Sequence, residues 1–214
     1  MSATAPFPAL RRNLVAILRG VRPDEAVDIG RAVFEAGIEA IEVPLNSPDP
    51  FVSIERLAKA LPATALVGAG TVLAARDVDL LAGVGGRLMV SPNIEPAVME
   101  AAARHRMVTM PGVFTPSEAF TALRCGASAL KFFPASVLGA RGVAAIAAVL
   151  PADAVIGAVG GVSEKEFVDY GRVGVRTFGL GSSLYRPGAG ARDVAARAAV
   201  AVAAWDDVFT GEGK

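Results

Sequence analysis

The stretch MVTMPGVFTPSEAFTALRCGASALKFFPAS, residues 107–136, sets out one structural unit. It opens with a short apolar run, MVTMPG, and leads into TPSEAFTALRCG. That segment carries Ser117-Glu118 after Pro116 and closes on Gly126, the start and stop signals of a helix. A second apolar run, ALKFFP, follows directly. Strand, helix and strand in this compass match a parallel βαβ unit of roughly 30 residues.

The same alternation runs along the chain. NLVAIL, AIEVPL, ALVGAG, RLMVSP, AVIGAVGG and VRTFGLG complete a set of eight candidate strands. Helical stretches such as PDEAVDIGRAVFEAG and IEPAVMEAAARHR lie between them, the first opening on Asp24-Glu25 and closing on Gly37. The spacing is roughly 20–27 residues, one strand plus one helix. Eight such units predict an α/β fold, a single (β/α)8 TIM barrel over residues 1–214, smaller than the usual ~250-residue barrel. Residues before Asn13 are expected to form a lead-in helix, and TGEGK a frayed tail. A doubly wound open sheet is the competing architecture, but no GxGxxG follows the first strand, and LRGVRP does not resemble one.

Composition narrows the function classes. Hydrophobic residues make up 53 % and charged residues 20 %, so the chain can build a large core. Twenty-one acidic residues balance 21 basic ones, with no basic block, which argues against a nucleic-acid partner. Cys125 is the only cysteine, so neither an intrachain disulfide nor a thiolate metal cluster is available. His105 is the only histidine, in the polar stretch EAAARHRM, and reads as a surface or helix-end residue. A multi-histidine metal site is therefore excluded. The apolar run Leu14 to Leu18 ends at Arg19 and is too short for a signal-peptide core. No segment approaches the ~18–20 apolar residues that cross a bilayer. The expectation is a soluble cytoplasmic protein with no membrane partner.

Barrel active sites form at the carboxyl ends of the strands. Those ends carry Arg19, Glu42, Thr71, Ser91-Pro92-Asn93, Pro111-Gly112, Lys131, Gly160-Gly161 and Gly179-Leu180-Gly181-Ser182. The ionisable members are one arginine, one glutamate and one lysine. In EAIEVPL, Ile41, Val43 and Leu45 share a face, leaving Glu42 with Ala40; in ALKFF, Leu130 and Phe132 share a face, leaving Lys131 with Ala129 and Phe133. If the bulkier sets face the helices, Glu42 and Lys131 both point into the barrel mouth, from opposite strands.

A buried Glu–Lys pair that merely locks the barrel is one reading. The other makes Lys131 an amine nucleophile. A free ammonium has a pKa near ~10.4, and bringing it to about 7 takes ~4–5 kcal/mol against the charged form. Apolar neighbours such as Phe132 and Phe133, and the cation Arg19, push that way, while ionised Glu42 pulls back. A neutral amine attacks a ketone to form an imine, whose protonated form withdraws electrons from the neighbouring carbon. Glu42 is the only strand-end carboxylate able to shuttle the proton. Backbone N–H groups at the glycine-rich ends of strands seven and eight, each followed by a helix N-terminus, with the Ser182 and Ser183 hydroxyls, fit a phosphate. Arg19 could grip a carboxylate through two hydrogen bonds. A ketone beside a carboxylate, with a distant phosphate, fits all these parts.

VAILRG, AIEVPLNSP, GAGTVL, SPNI, PGVFTPSEA, LKFFPAS, VGGV and GLGSSLY, in this order across nearly the whole chain, resemble the class I aldolases acting on 2-dehydro-3-deoxy-6-phospho sugar acids. The resemblance implies a homotrimeric barrel that cleaves a phosphorylated sugar acid to pyruvate and D-glyceraldehyde 3-phosphate, with no metal or organic cofactor. It implies Lys131 as the Schiff-base lysine and Glu42 as general acid/base. Arg19 and Thr71 match residues that hold the carboxylate end, while Gly161, Gly181 and Ser182 fall where the family binds phosphate. Pro92, Phe133, Val159 and Gly160 complete the implied substrate site.

Two subfamilies differ in the sugar epimer. The gluconate type usually carries TLRT after the glutamate and a threonine before the Gly-Gly pair. This chain has VPLNSP after Glu42 and Val159 before Gly160, both resembling the 6-phosphogalactonate type. Activity on the gluconate epimer, or on both, is the alternative, since such a change is worth only ~1–3 kcal/mol. A phosphate-binding barrel isomerase or synthase is a competing class, but it gives Arg19, Glu42 and Lys131 no joint role. A non-catalytic sugar-phosphate sensor is another, although no catalytic position departs from the family pattern.

Overall fold

Residues 4–210 are described by the structure, a computed structural model. One parallel sheet contains β1 (Leu14–Ile17), β2 (Ala40–Pro44), β3 (Leu66–Gly70), β4 (Leu88–Val90), β5 (Val108–Met110), β6 (Gly112–Val113), β7 (Leu130–Phe132), β8 (Ile156–Val159) and β9 (Thr177–Leu180). Their spatial order is β5-β4-β3-β2-β1-β9-β8-β7-β6. The two ends of that order are halves of one barrel strand, divided at Pro111. Proline has no N–H to give to a ladder, so regular pairing lapses for one residue. The Ala129 amide donates to the Thr109 carbonyl and the Lys131 amide to the Pro111 carbonyl, each at 3.0 Å. These bonds join β7 to the β5 half and close the sheet. The nine strand segments are thus the eight strands of the expected barrel, and TIM-barrel connectivity holds throughout.

Among the described residues, eight α-helices surround it: α1 (Ala26–Glu35), α2 (Pro50–Ala60), α3 (Ala75–Gly83), α4 (Pro96–Arg104), α5 (Pro116–Arg124), α6 (Ala135–Ala147), α7 (Phe167–Arg172) and α8 (Ala191–Phe209). The helix inside the 107–136 unit starts on a capping box. Glu118 N–H meets the Thr115 hydroxyl, and the Glu118 carboxylate accepts from Thr115 N–H at 2.8 Å. His105 caps the end of α4, where its Nε2 lies 2.7 Å from Asp79. No described helix is long and apolar enough to cross a membrane.

The period of two in each strand sorts the core into two layers. Leu14, Ala16, Ile41, Val43, Leu130, Phe132, Ala158 and Phe178 pack outward against the helices. Val15, Ile17, Ala40, Leu88, Val90, Met110, Ala129 and Val159 fill the barrel interior. Each fully buried large side chain contributes roughly 1.5–3 kcal/mol. The outer layer includes a tilted Phe167–Phe178 pair with ring centroids 4.3 Å apart.

The expected lead-in helix is absent among the described residues. Residues 4–13 contain no helix; Ala5 makes a parallel bridge to Val108 and its amide donates to the Met107 carbonyl at 3.0 Å. Phe7 and Leu10 pack on the interior layer, closing the amino-terminal end of the barrel. Pro6 and Pro8 explain the difference, because each removes an amide donor and biases the preceding residue toward extended backbone. Of the expected tail, Thr210 caps α8, and residues 211–214 lie outside the described residues.

Candidate active site

Glu42 is the central residue of β2 and Lys131 the central residue of β7. Both turn into the barrel on the side of Ala40 and Ala129, as alternation predicts, and both are almost fully buried, at 2 % and 5 % exposure. Glycines give the lysine room. Lys131 is in register with Gly112 on one neighbouring strand and Gly157 on the other.

Burial dominates the electrostatics. Loss of hydration pushes the Glu42 carboxyl up to about 7, against the opposing pull of Lys131, Arg19 and the Gly70 amide. It brings the Lys131 ammonium down to about 8; Glu42 resists this shift and Arg19 assists it. Each group senses the charge of the other, and burial moves the two in opposite directions toward neutrality. Of the two phenylalanines beside the lysine, Phe132 packs outward and Phe133 alone meets the amine, with its ring centroid 4.7 Å from Nζ. That ring face favours the ammonium, so desolvation, not Phe133, lowers the pKa.

A salt bridge serving only to lock the barrel would hold the Lys131 ammonium against the carboxylate, and among the described residues no such ion pair forms. Glu42 Oε2 is instead buried without a hydrogen-bond partner. Its lone pairs remain available for a proton from a bound molecule, as a general acid/base requires.

The carboxyl group lies against bare backbone. A Cβ built on Gly70 would overlap Glu42 Oε1, Cδ and Oε2. Gly70→Ala is therefore expected to displace the carboxyl and lower kcat by roughly 100-fold, the cost of misplacing a reacting group by about an ångström. Circular dichroism should show the fold retained. Wild-type kcat in a folded Gly70→Ala protein would refute this seating role.

An open pocket of about 890 Å3 lies over the carboxyl ends of the strands. Every site residue expected from the sequence lines it: Lys131, Glu42, Arg19, Thr71, Pro92, Phe133, Val159, Gly160, Gly161, Gly181 and Ser182. Arg19 Nη1 donates to Asn46 Oδ1 at 2.6 Å. The partner is an amide, so the guanidinium keeps its charge for a ligand. Thr71 has φ +55°, a rare backbone for a β-branched residue and a mark of local strain at a site. Val159 packs over Gly179, where an added Cβ would lie 2.7 Å from Val159 Cγ2. Gly160 and Gly161, at φ +92° and +72°, turn the chain sharply after β8.

The surroundings of the two glycine loops differ from expectation. After β8 comes a 3-10 turn, Glu164–Glu166, capped by Ser163, whose amide and hydroxyl both donate to the Glu166 carboxylate. After β9 no helix follows directly: residues 181–190 form turns, with Leu184 and Tyr185 amides donating to the Gly181 carbonyl at 2.9 Å, and α8 begins only at Ala191. Pro187, Gly188 and Gly190 delay that helix.

Asn46, Ser163, Glu166, Tyr185 and Arg186 also line the pocket, beyond the residues the sequence singled out. Asn46 follows Glu42 by four residues, and Arg186 directly follows the GLGSSLY segment. Tyr185 donates to Glu25 Oε1 at 2.9 Å; burial and that carboxylate keep its phenol protonated far above neutrality. Among the described residues, no three His, Cys, Asp or Glu side chains gather to hold a metal ion.

A buried amine of lowered pKa, an unpartnered buried carboxyl oxygen and a pocket lined by Arg19 and Arg186 suit imine chemistry on a phosphorylated oxo acid. Known proteins point the same way. The chain is 60 % identical over 207 residues to the probable 2-dehydro-3-deoxy-6-phosphogalactonate aldolase of Rhizobium meliloti (strain 1021), covering 97 % of this chain and 98 % of that protein. It is 46 % identical over 192 residues to the 2-dehydro-3-deoxy-6-phosphogalactonate aldolase of Escherichia coli (strain K12), covering 90 % and 94 %. A solved structure described as native KDPGal superposes with a TM-score of 0.93 at 43 % identity, covering 96 % of this chain and 99 % of that one. The family model for KDPG and KHG aldolase matches residues 9–197. The chain belongs to the KDPG and KHG aldolase family.

Proposed function

We propose that this protein is a class I aldolase that cleaves 2-dehydro-3-deoxy-6-phospho-D-galactonate to pyruvate and D-glyceraldehyde 3-phosphate. The observation that carries the reading is the buried Lys131–Glu42 pair, with both groups shifted toward neutrality and Glu42 Oε2 unpartnered. Neutral Lys131 adds to the C2 carbonyl, and loss of water leaves a protonated imine. Glu42 takes the proton from the C4 hydroxyl as the C3–C4 bond breaks. The bonding pair moves into the iminium to give an enamine, and C4 leaves as the aldehyde of D-glyceraldehyde 3-phosphate. Glu42 returns the proton to C3, and water then releases pyruvate and the free amine. Arg19 and Thr71 hold the carboxylate, Pro92 and Phe133 flank the ketone end, and Gly160, Gly161, Gly181 and Ser182 cradle the phosphate.

Val159 is assigned to the wall facing C4, where the two epimers differ. Wild-type enzyme is expected to release pyruvate faster from the galactonate than from the gluconate epimer. Val159→Thr should move that preference toward gluconate by roughly tenfold or more, the range open to one hydroxyl-for-methyl change. Equal kcat/KM on the two epimers before and after substitution would remove Val159 from this role and leave the aldolase reading standing.

A homotrimer accompanies the family resemblance. Leu73 and Val137, at 55 % and 73 % exposure, and the less exposed Phe114, offer apolar side chains just past the carboxyl ends of barrel strands for subunit contact. Light scattering should give three chain masses; one chain mass at working concentration would contradict the trimer. A charged phosphate ester does not cross bilayers unaided, so a cytoplasmic setting goes with this reading.

A further inference from the structure

We infer that Arg186 is the cation that holds the substrate phosphate, and that it sets the preference for phosphorylated over unphosphorylated substrates. The inference rests on the aldolase reading and concerns the loops after β8 and β9.

A phosphate dianion held only by neutral donors is undercompensated, and neither glycine loop has a helix N-terminus free to help. The turn after β8 is already capped by Ser163 and carries Glu164 and Glu166 in its first turn. The Glu166 carboxylate accepts from the Ser163 amide at 2.7 Å and the Ser163 hydroxyl at 2.9 Å. No helix begins directly after β9. The positive charge must come from a side chain.

Three cations line the pocket: Arg19, Lys131 and Arg186. Lys131 is buried on β7, and Arg19 is tied to Asn46 and acts electrostatically on Glu42 and Lys131, at the ketone end. Arg186 belongs to the loop after β9. Its Nε donates to the Ser182 carbonyl at 3.1 Å, and Ser183 Oγ reaches the Val162 carbonyl at 3.4 Å, linking the loops after β8 and β9. The tether fixes one edge of an exposed guanidinium. Among the described residues its terminal nitrogens make no hydrogen bond, which leaves them for phosphate oxygens.

The test runs the reaction in the synthetic direction, from pyruvate with D-glyceraldehyde 3-phosphate or with D-glyceraldehyde. The readout is the ratio of kcat/KM for the two aldehydes. Arg186→Gln should lower that ratio by roughly tenfold to a hundredfold, as expected for a lost hydrogen bond to a charged group. Arg186→Lys, which keeps the charge without the fork, should give an intermediate ratio. Arg31→Gln, the same charge loss on the outer side of α1, should leave the ratio at its wild-type value. An unchanged ratio in folded Arg186→Gln, or equal losses with both aldehydes, overturns the inference. Failure of the wild type to condense pyruvate with either aldehyde would instead overturn the aldolase reading.

Discussion

Lys131→Met is expected to reduce turnover by ~10⁴-fold or more, the scale seen when one member of a covalent catalytic unit is removed. The side chain is the proposed nucleophile, and among the described residues no other lysine is placed to replace it: Lys59 pairs with Glu55 on α2 and Lys165 is exposed on the turn after β8. Methionine fills nearly the same buried space, so the fold should survive. The sign of the stability change follows from the pKa. A lysine whose pKa falls on folding, here from 10.5 to about 8, is bound less tightly by its proton in the native state than in the unfolded chain. It therefore costs stability, fully so below pH 8 and not at all above 10.5. Its removal should leave Tm at pH 7 unchanged or higher. Retained turnover, or a collapsed fold, would contradict the nucleophile assignment or its burial, respectively.

The second large effect is expected at Glu42. Glu42→Gln keeps the shape and removes the proton shuttle, so turnover should fall by roughly 10²–10⁴-fold. Pyruvate should still form an imine on Lys131, since that step uses the amine itself. Its pH dependence carries a signed prediction. Ionised Glu42 stabilises the ammonium and holds the Lys131 pKa up. Glutamine withdraws that support, so the pH midpoint for imine trapping should move down. An unchanged or upward midpoint would mean that the carboxylate does not support the ammonium, and the paired acid/base role would fail.

What could be read from the sequence divides along physical lines. Period-two alternation placed Glu42 and Lys131 inside the barrel correctly, because a strand with one face on helices leaves no choice of register. Strand ends likewise gave Arg19, Thr71 and the glycine loops. Loop side chains follow no such period. Asn46 and Arg186 come from turns: Asn46 is oriented by its bond to Arg19 on another strand end, and Arg186 by a bond back to the Ser182 carbonyl within its own loop. Gly181-Ser182 was legible as a strand-end loop and lines the pocket, but the delay of α8 to Ala191 depends on turns through Pro187 and Gly188. At the amino terminus the helix expectation failed where Pro6 and Pro8 favour extended backbone. The segment then gained its contacts from the open end of the barrel, which no local pattern encodes.

Borohydride reduction in the presence of pyruvate, followed by peptide mapping of the modified residue, tests the nucleophile assignment most directly. A stable pyruvate adduct on Lys131 alone, absent from Lys131→Met, is the expected result. An adduct on Lys59, Lys165 or Lys214, or no adduct in an enzyme that turns over substrate, would contradict it.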